Sequence, residues 1–268
     1  MILAVLAAAF SLPPIIRTAP PNTPTSTMKS FQCLTIDRQG CVFIITLNIP
    51  PENRLNLAAC REVTEAFHEI QRELGPSTEG AVITRGSDTK YWCTGLDLYE
   101  ADENPYANSD GFFPMLATIL DFPYPTVALI TGHTIGGACL FALAHDYRVM
   151  NSQRGYFYMP PLILGLHFQG IGALPRLKLA PHVARKLLMQ AHKFTATQAQ
   201  HDGIVDEAVG PDQMLDAALA IARKWAHTAK QNVYTLIREE LYGDAVSKFK
   251  LISHVHGRMT SRPAGIKL

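Results

Sequence analysis

Hydrophobic positions along this 268-residue chain change their period several times, and the changes mark out its elements. From Phe31, the runs FQCLTID and CVFIITLN are β-type and are divided by Arg38-Gln39-Gly40, a pattern that predicts a hairpin. Pro50 to Arg54 break the second run. Asn56 then stands at the head of a segment in which Val63, Ala66, Phe67, Ile70 and Leu74 recur at helical spacing, and Gly75-Pro76 ends it. Ala81 to Thr84 predict a short strand, followed by a loop from Gly86 to Asp102. Val127 to Thr131 are apolar and β-branched, Gly132 to Gly137 form a tight glycine loop, and a small, apolar helix follows to His145-Asp146. Further strands are expected at Tyr147–Met150 and Gly155–Met159, a second glycine-rich turn at His167–Gly172, and helical periodicity from Pro181. Thr197–Gln200 read as a helix start, and Asp202–Asp206 as a stop leading into a short strand. Strands that alternate with helices in this way indicate an α/β fold with parallel pairing. After Asp212 the chain reads as all-helical. Met214, Leu215, Ala218, Leu219, Ala222, Trp225 and Ala226 form one apolar stripe, and Val233, Ile237, Leu241 and Phe249 form another. Such stripes need a partner surface, either this chain's own core or a sister subunit.

The stretch from Val127 to Asp146 carries the first chemical signal. A helix that begins at Gly136-Gly137 leaves its first N–H groups without partners in the helix, and its dipole adds partial positive charge there. Because glycine has no Cβ, an oxygen atom can approach those donors closely. The segment therefore suits a phosphate, a carboxylate or the oxyanion of a polarised thioester. An ordinary buried βα turn with glycine for packing explains the same letters, and both readings stay open at this point.

Composition narrows the partner. The chain is 47% hydrophobic with a formal net charge of +1, and no basic run is interleaved with aromatics, so a packed domain with a small-molecule ligand is expected rather than a nucleic-acid groove. The five cysteines, Cys33, Cys41, Cys60, Cys93 and Cys139, are odd in number and scattered, without a C-x-x-C pair for zinc or redox work. They read as reduced thiols, and Cys139 as a small buried filler. Residues 1–28 differ from the rest, with the apolar ILAVLAAAF followed by a Pro/Ser/Thr-rich run. The apolar part is too short for a bilayer span and has no preceding basic residue, which leaves a dispensable leader or a weak secretory signal. The expected organisation is a leader over 1–28, a core over 29–210 and a helical oligomerisation region over 211–268.

Motifs now fall in a recognisable order: Pro51 to Asn56, Trp92-Cys93-Thr94-Gly95-Leu96-Asp97-Leu98, Gly132 to Gly137, and Gly203-Ile204-Val205-Asp206. On these, from about Lys29 to the C-terminus, the chain resembles the crotonase superfamily, also called the enoyl-CoA hydratase/isomerase family. Within it, His145 to Met150 and Tyr234 to Arg238 are most similar to the peroxisomal 3,2-enoyl-CoA isomerases of plants and fungi. The resemblance implies a spiral of ββα units with a helical C-terminal region, assembled as trimers or dimers of trimers. It also implies a thioester oxygen held by two backbone donors, Leu96 N–H after Gly95 and Gly137 N–H after Gly136. Coenzyme A would enter as part of the substrate, with no separate cofactor and no metal.

The same resemblance exposes departures. Where hydratases of the family carry their two glutamates this chain has Leu140 and Pro161, so ordinary hydratase activity is not expected. Where fungal isomerases and dienoyl isomerases place a carboxylate in the second glycine-rich turn it has Gln169, which is no base. His167 in that turn is an alternative proton carrier, with a plain surface or core histidine as the other reading. His133 reads as structural and Asp97 as a local helix cap. Glu100, Asp102 and Glu103 read as solvated helix charges or as groups near the acyl tail. Arg54 is the leading candidate for coenzyme A recognition, with Lys90, or a Lys248 or Lys250 supplied by a neighbouring subunit, behind it. The ending Ile266-Lys267-Leu268 is similar to a peroxisomal Ser-Lys-Leu address apart from its isoleucine. Together these imply an acyl-CoA enzyme of the enoyl-CoA isomerase type. The alternatives are a silent acyl-CoA-binding homologue or a specialised enzyme on the same fold.

Overall fold

The computed structural model describes residues 29–254. The leader and the C-terminal tripeptide discussed above lie outside the described residues. The predicted hairpin is present: β1 (Leu34–Gln39) and β2 (Val42–Leu47) pair antiparallel, with Gly40 turning the chain. Helix α1 (Leu57–Leu74) starts where its cap predicts, since the Asn56 side chain accepts from Ala59 N–H at 2.8 Å. Glu100 accepts from Leu57 N–H at 2.7 Å, so a second donor at this helix start is also satisfied.

The chain then repeats one pattern. A strand of a large sheet is followed by a strand of a small sheet and then by helix. The first turn is β3 (Ala81–Gly86), β4 (Tyr91–Cys93), α2 (Leu98–Glu103), a π-helical turn at Asn108–Phe112 and α3 (Phe113–Leu120). The second is β5 (Thr126–Ile130), β6 (His133–Ile135) and α4 (Gly137–Ala144). The third is β7 (Tyr147–Asn151), β8 (Phe157–Tyr158), α5 (Pro161–Leu164), α6 (Ala173–Lys178) and α7 (Pro181–Met189). Helix α8 (Ala196–His201) and β9 (Glu207–Val209) close the spiral. The large sheet has the order β1-β2-β3-β5-β7-β9 and is parallel from β2 onward, and the small sheet β4-β6-β8 is parallel throughout. The Gly86–Asp102 stretch, expected as loop, thus contains β4 and α2, and the glycine loop contains β6. Both short strands lie inside segments whose glycine and polar letters read as turn.

Both faces of the large sheet are buried, as a parallel sheet requires. On one side Phe43, Ile45, Val82 and Ala128 meet α1, α3 and α4, where Phe67 meets Phe122 edge-on at 4.9 Å and Trp92 stacks on Phe141 at 5.0 Å. On the other, Val42, Ile44, Ile83 and Val127 pack against α9 (Met214–Ala226) through Met214, Ala218, Leu219 and Ala222. The first C-terminal stripe therefore meets this chain's own sheet, with Trp225 at its edge over Tyr147.

Helix α10 (Asn232–His254) lies along α3. Phe249 is fully buried and stacks on Phe113 at 5.9 Å, whereas Val233, Ile237 and Leu241 are 53%, 61% and 55% exposed. The second predicted stripe is thus two faces of one helix. Arg238 locks the inner face: it donates to the Ile119 and Leu120 carbonyls at the end of α3 and pairs with buried Asp146.

Candidate active site

The two glycine loops meet at the C-terminal ends of β4 and β6. Gly95 has φ +86°, and a Cβ there would lie 2.5 Å from the Ile135 carbonyl and 2.7 Å from Gly137 N, so only glycine lets these loops close. A parallel bridge between Leu55 and Leu96 fixes the first loop, through Leu55 N–H to Gly95 O at 2.7 Å and Asp97 N–H to Leu55 O at 3.1 Å. These bonds leave Leu96 N–H unused, and it has no acceptor among the described residues. In the second loop Gly136 N–H donates to Tyr158 O at 2.8 Å, and Gly137 opens α4, where no helical carbonyl is available to its N–H. Two free backbone donors therefore stand side by side, one on a helix dipole, and both are fixed before any ligand arrives.

They border a cavity of ≈ 140 Å³. Of the residues singled out from sequence, Leu96, Gly136, Gly137, Pro161 and His167 line it. Gly95 sits directly behind, in contact with Gly137. Leu140 does not line the cavity; it is fully buried on α4 within the core. Gln169 is half-buried outside the lining, and its buried side-chain oxygen has no partner. Arg54 is also outside the lining. It pairs with Glu52 at 3.2 Å, and Glu52 in turn accepts from Thr94, a lining residue, at 3.0 Å. Sequence reasoning missed Asn108, Ile135 and Phe168, which line the cavity as well. Asn108 opens the π-helical turn, and no periodicity announces such a turn in a polar stretch.

No carboxylate of the described residues lines this cavity. Asp97 caps α2 by accepting from Tyr99 and Glu100 N–H, and Glu100 is committed to the start of α1, not to the acyl tail. Asp102 and Glu103 lie exposed on α2. Lys250 pairs with Asp121 at 3.4 Å, Lys248 is exposed, and neither lines the cavity. Burial pushes the Cys93 thiol up to about 12 and raises Cys139 as well, and Cys139 donates to Tyr158 O at 3.3 Å. Thiols held neutral in this way are poor nucleophiles. His145 is fully buried behind α4, bonded to Phe141 O at 2.9 Å and to the Thr84 hydroxyl at 3.0 Å, and burial lowers it to about 4. His133 lies half-buried between Tyr91 and Tyr156, outside the cavity.

Comparison with known proteins decides the family. The model of the enoyl-CoA hydratase/isomerase family matches residues 37–258. The chain belongs to this family. Enoyl-CoA delta isomerase 3 of Arabidopsis thaliana is 30% identical over 224 residues, covering 78% of this chain and 91% of the relative. Enoyl-CoA delta isomerase 2, peroxisomal, of the same plant is 29% identical over 226 residues with the same coverage, 78% and 91%. Among solved structures, human mitochondrial delta3-delta2-enoyl-CoA isomerase superposes with a TM-score of 0.74 at 19% identity, covering 83% of this chain and 91% of the human one. The fold is thus the crotonase spiral. Its paired glycine loops are the places where the free Leu96 and Gly137 donors stand.

Proposed function

We propose that this protein is an acyl-CoA enzyme that shifts the double bond of a 3-enoyl-CoA to the 2-position. The observation that carries the reading is the pair of unpaired N–H groups, Leu96 and Gly137, at the wall of a mainly apolar cavity. Removal of a proton from C2 of the thioester sends its electron pair toward the carbonyl oxygen. The resulting dienolate is stabilised by both donors, which act in a water-poor site without reorganising. Return of the proton to C4 moves the double bond between C2 and C3 and restores the thioester. One base that stays bound to its proton is enough for this exchange, and His167 is the imidazole at the cavity wall. The names of the Arabidopsis relatives support the same reaction, and the peroxisomal label on one of them supports a peroxisomal address. A trimer is the assembly that goes with this reading, with α10 contributing its exposed apolar face.

The absence of a carboxylate from the lining favours a second reading, a homologue that binds acyl-CoA without turning it over. The test is to incubate the full chain with 3-enoyl-CoA thioesters of graded length, following the absorbance of the conjugated product, and to measure binding alongside. Conjugation that depends on the protein supports the isomerase. Binding without conjugation establishes the silent homologue.

A further inference from the structure

At the N-terminal ends of the small-sheet strands, opposite the oxyanion loops, the chain gathers a second set of functional groups. Tyr91, His133 and Tyr156 stand next to one another there, with ring centroids 5.7 Å apart for Tyr91 and His133 and 5.6 Å for His133 and Tyr156. Around them are three cations. Lys90 lies 4.9 Å over the Tyr91 ring, Lys193 lies 4.9 Å over the Tyr158 ring, and Arg154 follows β7. His133 is held below its ordinary range by burial and then by Lys90, Arg154 and Lys193, so all three charges converge on it. Among the described residues none of the three has a carboxylate partner, whereas Arg38, Arg72, Lys186, Lys230 and Lys250 each have one.

The platform beneath is rigid. His133 N–H donates to Lys90 O at 2.8 Å and Thr134 N–H to Tyr156 O at 2.9 Å, tying the three strand starts together. Gly155, at φ +97°, brings its turn so close that a Cβ would meet Gly132 O at 2.7 Å. None of Tyr91, His133, Tyr156, Lys90, Arg154 or Lys193 lines the oxyanion cavity. Unpaired cations call for an anion, and solvent-facing rings call for a flat partner; Tyr156 is 42% exposed. The chain's net charge is only +1, and Arg38, Arg54, Arg72, Lys186, Lys230 and Lys250 are each neutralised by a neighbouring carboxylate, so the patch suits one compact polyanion rather than a long nucleic acid or a lipid surface.

We infer that this face of the small sheet binds a nucleoside polyphosphate, with Lys90, Arg154 and Lys193 holding the phosphates and Tyr91, His133 and Tyr156 offering rings to the base. The site is separate from the one that takes the thioester, and its test needs no catalytic activity. ATP and inorganic tripolyphosphate are titrated into the full chain by calorimetry, and the titration is repeated on Lys193→Glu and Arg154→Glu. Both substitutions fall on exposed side chains, and circular dichroism verifies their fold. ATP is expected to bind more tightly than tripolyphosphate. Each charge reversal is expected to weaken ATP by about tenfold or more, since bonds between charged groups are the strong ones, and added salt should weaken it further. Absence of ATP binding, or equal binding by wild type and both variants, overturns the inference. So does loss of coenzyme A binding in both charge-reversal variants, which would make the patch part of the thioester site.

Discussion

His167 and Gln169 are two residues apart, yet the cavity is lined by Leu166, His167 and Phe168 and not by Gln169, whose side-chain oxygen is buried outside it. The expected consequence is that His167→Ala slows turnover of the 3-enoyl-CoA substrate by about 10²–10⁴-fold, the usual contribution of a positioned base. Gln169→Ala should cost far less, and steady-state kinetics on the two variants with the reverse outcome would make Gln169 the critical group. The oxyanion donor has a cleaner test. Gly137→Pro removes the N–H at a first helical position, where proline is otherwise tolerated. Gly137→Ala serves as its control, since it keeps the N–H and presents the same Cβ, which meets Leu96 Cγ at 3.0 Å. Proline should abolish turnover while alanine retains a measurable fraction; equal rates would remove Gly137 N–H from the mechanism. At this scale the sequence was informative about glycines, whose roles follow from backbone geometry alone. It was silent about Asn108, whose place depends on a π-helical turn that no short-range pattern encodes.

The β1–β2 hairpin, α1, α4 and α9 were legible from their periods, and β8 and β9 from the apolar letters around them, whereas β4 and β6, enclosed in segments that read as loop, were not. What joins the elements was also hidden, because it is a polar network assembled from distant residues. His145 links α4 to Thr84 on β3, and Arg238 links α10 to Asp146 and the end of α3. Arg238→Ala strands a buried carboxylate and two helix-end carbonyls, so it should destabilise the fold by about 3–5 kcal/mol, read from urea midpoints at constant m. A loss under about 1 kcal/mol would show that α10 is held by its apolar contacts alone. His145 gives a pH signature. Its folded value of about 4 lies below the ordinary 6.5, so between these values the unfolded chain binds the extra proton. Its contribution is fully present above pH 6.5 and is lost as pH falls toward 4, roughly 3 kcal/mol in all. His145→Gln should flatten that limb of the stability profile; an unchanged slope would mean that other groups set it.

At the scale of the whole molecule, one apolar face of α10 is left uncovered by the described residues. With Phe249 and Arg238 turned inward, α10 presents Val233, Leu236, Ile237 and Leu241 outward, and Leu236 and Ile237 are 60% and 61% exposed. Periodicity read from the chain merged these with the inner face, because a helix at the edge of a domain can be apolar on both sides and sequence does not say which side is covered. Full burial of such side chains is worth roughly 1.5–3 kcal/mol each. These four are already nearly half covered within the subunit, so they add roughly half of that each, about 3–6 kcal/mol per subunit, which reaches the low end of the roughly 4–15 kcal/mol lost on association. Assembly at micromolar concentration is the expected result, and the family fold makes a trimer the expected stoichiometry. Native mass measurement should give three chains for wild type. Ile237→Glu combined with Leu241→Glu should give one chain with an unchanged circular dichroism spectrum, since both positions are exposed within the subunit. A wild-type monomer throughout the micromolar range would sink the idea. A trimer that survives both glutamates would move the interface away from α10.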